Sequence, residues 1–127
     1  MKVLIADDDP QLVRALRITL GAHGYDVVAA PDGAAAITLA AQSRPDIVLL
    51  DLGMPRLDGY ATAREIASRP WAADTQIVAV TGWGQDADRK RARAAGFHRH
   101  LVKPVDIDAL RQVMSTGSVT GQPPPSR

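Results

Sequence analysis

Cysteine is absent from the 127 residues. That excludes a disulfide framework, a cysteine-containing zinc site and thiol catalysis. Aromatics are scarce, with two Trp, two Tyr and one Phe, so the core must be built from Val, Leu, Ile and Ala. No apolar run approaches the roughly 18 residues a membrane span needs. The first six residues, followed at once by three aspartates, are too short and too soon acidic for a secretory signal. The expectation is a cytoplasmic protein without membrane contact. Nor is there an excess of one charge: 15 basic residues face 14 acidic ones, for a net charge of +1. Bulk charge therefore makes no case for a nucleic-acid partner. There is no internal repeat, and the length is that of one domain.

What is present is alternation. Val3-Leu4-Ile5-Ala6, Ile47-Val48-Leu49-Leu50 and Ile77-Val78-Ala79-Val80 are short apolar runs without polar alternation. Strands buried on both faces of a parallel sheet read this way. Val27–Ala30, entered through Asp26, suits an edge, and His98–Val102 is a more polar fifth candidate. Helices fit between them. Asp9 can cap a helix opening at Pro10, where a missing N–H costs nothing, and Leu12, Leu16 and Leu20 share one face before Gly24. Asp32-Gly33 opens an alanine-rich helix to about Gln42, stopped by Pro45. Asp58 can cap a third to about Ser68, with Trp71 in the loop beyond. Residues 85–95 make a fourth, ended by Gly96. Asp106 can cap a fifth, with Ile107, Leu110 and Met114 on one face. Five strict β/α alternations predict an α/β fold: a doubly wound five-stranded parallel sheet, order 2-1-3-4-5, flanked by five helices. Residues 1–115 form the expected domain. Residues 116–127 lack periodicity and read as a disordered tail or truncated linker.

In such sheets the site lies beyond the carboxyl ends of the strands. Strand 1 ends in Asp7, Asp8 and Asp9, strand 3 in Asp51, strand 4 in Thr81, strand 5 in Lys103-Pro104. Two carboxylates about 5 Å apart repel by roughly 3 kcal/mol at an effective dielectric near 20. A hard divalent cation and the Lys103 ammonium can each offset that. Mg²⁺ takes oxygen ligands, which suits Asp8 and Asp51 directly and Asp7 through water. A carboxylate can also act as nucleophile toward a phosphoryl group, with Thr81 and Lys103 neutralising its oxygens.

The acidic pair Asp7-Asp8, Asp51 followed by Met54-Pro55 and Asp58-Gly59, Thr81-Gly82 and Lys103-Pro104 together resemble the receiver domain of two-component response regulators. The stretch from Thr81 to Gln85 and that from His100 to Asp106 are similar to receivers of hybrid sensor kinases. The resemblance implies that Asp51 is the phosphoacceptor and that Asp8 binds Mg²⁺ directly, Asp7 through water. It adds the Gly53 backbone carbonyl as a ligand, gives Thr81 and Lys103 the phosphoryl oxygens, and makes the Lys103-Pro104 bond cis. The family's switch aromatic falls on His100, where Tyr or Phe is usual. Trp83, in the loop after Thr81, would move with that switch.

The implied function is a signalling module of a bacterial phosphorelay. It takes a phosphoryl group from a histidine kinase or histidine phosphotransfer protein. It then presents helix 4, strand 5 and helix 5 to a downstream protein, its only enzymatic act being on itself. Two other classes are weighed. An aspartyl-phosphate enzyme would need an acid/base carboxylate two residues after its nucleophile on strand 1, a spacing met by Asp7 and Asp9. A constitutive interaction domain would have no need of the full set of polar residues. The run Arg89, Lys90, Arg91 and Arg93 reads as a solvated face or a docking surface. His98 and His100, two apart, share a strand face but have no third metal ligand.

Overall fold

The computed structural model describes residues 1–53, 58–82, 89–103, 105 and 108–112. Five strands, β1 (Lys2–Ala6), β2 (Asp26–Ala30), β3 (Ile47–Asp51), β4 (Gln76–Thr81) and β5 (Arg99–Val102), alternate with helices α1 (Pro10–Ala22), α2 (Gly33–Ser43), α3 (Gly59–Ala67) and α4 (Arg89–Ala95). Residues 108–112 are also helical. All strand pairs are parallel and the order is β2-β1-β3-β4-β5, as expected. Among the described residues, no helix is long and apolar enough to cross a membrane.

The three apolar runs occupy the middle of the sheet because each is covered on both sides. Val3, Ile5, Ile47, Leu49, Val78 and Val80 pack against Leu16 and Leu20 of α1 and against Leu110. Leu4, Ala6, Val48, Leu50, Ile77 and Ala79 pack against Ala36 and Ala40 of α2, Ala63 and Ile66 of α3, and Ala95 of α4. The half-buried β2 lies at one edge and β5 at the other.

The predicted caps form. Asp9 Oδ1 accepts from the N–H groups of Gln11 and Leu12, Asp32 Oδ1 from Ala35 and Asp58 Oδ1 from Tyr60. Such caps satisfy N–H groups that the first helical turn leaves unpaired. Helix α2 ends at Ser43, and Arg44, the residue before Pro45, lies in the left-handed region at φ 48°. The segment after α3, expected to be a loop, is a 3₁₀ helix, Pro70–Asp74. The Ala72 N–H bonds to the Arg69 carbonyl and the Thr75 N–H to the Ala72 carbonyl, both at 3.0 Å. One such turn is too short to leave a periodic signature. The expected start of the fourth helix at residues 85–88, the cap at Asp106 and the tail lie outside the described residues.

Candidate functional site

The sheet register gathers the polar strand ends. Ala6 pairs with Leu50, so Asp7 and Asp51 follow at one level. Asp51 pairs with Val80, so Thr81 stands one residue beyond. Thr81 pairs with Val102, so Lys103 follows β5 one step further out. The flexible four-carbon stem of lysine lets its ammonium reach back over that distance.

Asp7 and Asp51 are each 5% exposed, an unusual burial for carboxylates. Lys103 Nζ resolves it, at 3.0 Å from Asp7 Oδ2 and 3.3 Å from Asp51 Oδ2. The other oxygen of each carboxylate is met by backbone: Asp7 Oδ1 accepts from the Asp9 N–H at 2.9 Å, and Asp51 Oδ1 from the Gly53 N–H at 2.8 Å. Burial pushes the Asp7 carboxyl above the usual range and the charge of Asp51 adds to that, against the opposing pull of the Asp9 N–H and Lys103. For Lys103, burial acts to lower the pKa, but its bonds and charge attraction to Asp7 and Asp51 prevail and raise it. One ammonium thus serves two carboxylates that remain crowded.

Asp8 is exposed. A carboxylate oxygen from each of Asp7, Asp8 and Asp51 lies within 4.8 Å of the others. The donors are all oxygen, and two of the three are buried beside a single lysine. This set fits a hard divalent cation, which prefers carboxylate and water ligands. Asp9, by contrast, spends its carboxylate on the cap of α1, and is not poised as an acid/base group.

Thr81 is fully buried, with its hydroxyl 2.8 Å from Nε2 of His100. Ala79 pairs with His100 in the register, so Thr81 and His100 stand diagonally on one face of the β4–β5 pair, two positions apart along the ladder. The two histidines make no shared metal site among the described residues: His98 Nδ1 accepts from the Ile77 N–H at 3.0 Å, while His100 turns to Thr81. Trp83, Met54-Pro55 and the Lys103-Pro104 bond lie outside the described residues.

One relationship had no signal in the sequence. Arg91, read as part of a basic run, is ion-paired through Nη2 to Asp58 Oδ2 at 3.1 Å, so α4 reaches the cap of α3. Thirty-three residues separate the two, and neither spacing nor composition marks them as partners. Lys90 and Arg93 of the same run are exposed.

With this geometry in place, comparison with known proteins is direct. The family model described as response regulator receiver domain matches residues 3–115. The DNA-binding dual master transcriptional regulator RpaA of Synechocystis is 34% identical over 109 residues, covering 86% of this chain and 45% of the relative. Protein PilH of Pseudomonas aeruginosa is 32% identical over 114 residues, covering 90% of this chain and 94% of PilH. The chain thus spans less than half of RpaA but nearly all of PilH. Among solved structures, the receiver domain of a sensor histidine kinase from Pseudomonas aeruginosa superposes with a TM-score of 0.82 at 28% identity. It covers 94% of this chain and 98% of that one, and holds a magnesium ion coordinated in its active site cleft.

Proposed function

Since the chain belongs to the response regulator receiver domain family, we propose that it is a phosphoacceptor module of a two-component relay, with Asp51 as the residue that takes the phosphoryl group. The observation that carries this reading is the buried Asp51 carboxylate, held at one oxygen by the Gly53 N–H and at the other by Lys103. The bond network orients the nucleophile, and positioning supplies much of the rate in phosphoryl transfer.

The donor is a phosphohistidine on a histidine kinase or phosphotransfer protein. A carboxylate oxygen of Asp51 forms the new oxygen–phosphorus bond as the phosphorus–nitrogen bond breaks. The electron pair leaves with the donor ring, whose other nitrogen carries a proton throughout, so the ring ends as neutral imidazole. Lys103 follows the negative charge from carboxylate to phosphoryl oxygen, and Thr81 donates to a second oxygen. Asp7, Asp8, Asp51 and the Gly53 carbonyl are the residues that would hold magnesium. When bound, magnesium supplies neutralising charge for the carboxylates and for the phosphoryl oxygens. Asp9, which has the spacing such chemistry would use, is committed to its cap, which weighs against an aspartyl-phosphate enzyme. The downstream partner, a protein rather than nucleic acid, reads the face of α4, β5 and the helix containing residues 108–112.

The test is acetyl phosphate with Mg²⁺ followed by intact-mass measurement. One phosphoryl mass is expected on the parent chain and none on Asp51→Asn. Undiminished labelling of Asp51→Asn would overturn the assignment.

A further inference from the structure

Thr81 has one hydroxyl proton, and two groups can claim it. In this structure Oγ1 lies 2.8 Å from His100 Nε2. A hydrogen bond at that distance has two forms, because a histidine ring nitrogen is either a donor or an acceptor. If Nε2 is bare, it accepts the Thr81 proton. The hydroxyl then has only lone pairs left to offer. If Nε2 carries hydrogen, it donates to Oγ1, and the Thr81 proton is free to turn elsewhere.

A phosphoryl group has oxygens that only accept at this site. It is therefore compatible with the second form and repelled by the first. Thr81 directly follows Val80, the register partner of Asp51, on β4, the strand that lies between β3 and β5. It is fully buried, so water is not at hand to supply a substitute donor, and a buried polar group without a partner is costly.

We infer that His100 is a positioning residue: hydrogen on its Nε2 turns the Thr81 hydroxyl into a donor for the phosphoryl group, so that phosphorylation of Asp51 and protonation of Nε2 favour one another. The inference rests on the receiver reading above and adds to it a proton position that a phenylalanine ring there cannot provide. By linkage, each event raises the probability of the other to the same degree. His100 is exposed on the edge strand β5, so the state of a buried hydroxyl is expressed at the surface a partner would touch.

The experiment is nitrogen NMR of the full chain with ¹⁵N-labelled histidine, at one fixed pH, with Mg²⁺ alone and then with Mg²⁺ and beryllofluoride. The chain has three histidines, so His23 and His98 serve as internal references. Fluorine NMR reports beryllofluoride occupancy, and Asp51→Asn is the control for it. The expected result is a His100 Nε2 resonance of the protonated type in the occupied state. Thr81→Val, which keeps the branched shape without the hydroxyl, removes a donor and should weaken beryllofluoride binding, so it is compared at a concentration where fluorine NMR shows the site filled; there the change in His100 should be abolished. A bare Nε2 in the occupied state would overturn the inference and leave the receiver reading intact. So would a His100 response that persists in Thr81→Val. Failure of beryllofluoride to bind, or equal binding by Asp51→Asn, would instead remove the receiver reading, and this inference with it.

Discussion

Arg91 of α4 and Asp58 at the start of α3 are ion-paired at 3.1 Å, and the same guanidinium lies 4.1 Å from the centroid of the Tyr60 ring. Tyr60 in turn meets Phe97 edge-on, with ring centroids 6.0 Å apart. Asp58 divides its carboxylate, Oδ1 capping α3 through the Tyr60 N–H and Oδ2 taking Arg91. The helix of the proposed output face is thereby tied to the segment that follows β3, the strand of the proposed phosphoacceptor.

This tie should be modest and salt-sensitive. Both partners are about half exposed, at 53% and 46%, and exposed pairs contribute roughly 0.2–1 kcal/mol, with a surface cation–π contact adding about 0.5–1 kcal/mol. Arg91→Ala should cost about 1 kcal/mol in urea unfolding. Asp58→Asn keeps a capping oxygen and should cost less. A double-mutant cycle between them should give a coupling that shrinks in 1 M salt. Coupling unchanged by salt would mean that the stacked ring, not the ion pair, holds α4.

Lys103 and Asp8 should separate in their effects on metal. Lys103→Ala removes a cation that sits between Asp7 and Asp51, so Mg²⁺ binding should be no weaker than in the parent chain. Asp8→Ala removes a proposed ligand and should weaken binding by about tenfold or more. Calorimetric titration distinguishes them. Without metal, Lys103→Ala leaves two buried carboxylates facing one another and should lower stability by about 2 kcal/mol, much of which saturating Mg²⁺ restores.

The raised pKa of Asp7 sets a direction for pH. Metal needs the carboxylate ionised, so protons compete with it. Mg²⁺ affinity should rise with pH through the Asp7 titration, and that rise should sit above the ordinary value of 3.8. In the metal-free chain the folded state holds the Asp7 proton more tightly than the unfolded state does. Asp7 therefore makes stability fall as pH climbs from 3.8 through its folded value. Asp7→Asn should flatten this limb in metal-free urea titrations. Lys103 acts at the alkaline end: its folded pKa lies above 10.5, so the stability it contributes is full below 10.5 and lost as pH rises past the folded value.

Gly96 should resist substitution. Its φ is +104°, and an added Cβ would lie 2.8 Å from the Cβ of Ala67 in α3. Both the backbone conformation and the contact oppose a side chain. Gly96→Ala should cost about 2 kcal/mol in urea unfolding, whereas Gly21→Ala, inside α1 with open space around its Cβ position, should stabilise by about 0.5–1 kcal/mol.

The sequence by itself determined the framework of this protein. Runs such as Val3–Ala6 and Ile47–Leu50 are apolar at every position because both sheet faces are covered, and that local pattern needs no distant information. Asp9-Pro10, Asp32-Gly33 and Asp58-Gly59 mark helix starts because capping is settled within three residues. With the strand order known, the polar strand ends Asp7, Asp51, Thr81 and Lys103 fall together. Tertiary structure alone decided how those groups pair. Lys103 binds Asp7 and Asp51 at once, Thr81 meets His100, and Arg91 meets Asp58 and Tyr60. These partners are 19 or more residues apart, and their contacts depend on sheet register and side-chain reach. The same holds for His98 and His100: two positions apart on one strand, they bond to Ile77 and Thr81 respectively, because hydrogen bonding is settled by what the neighbouring strand presents.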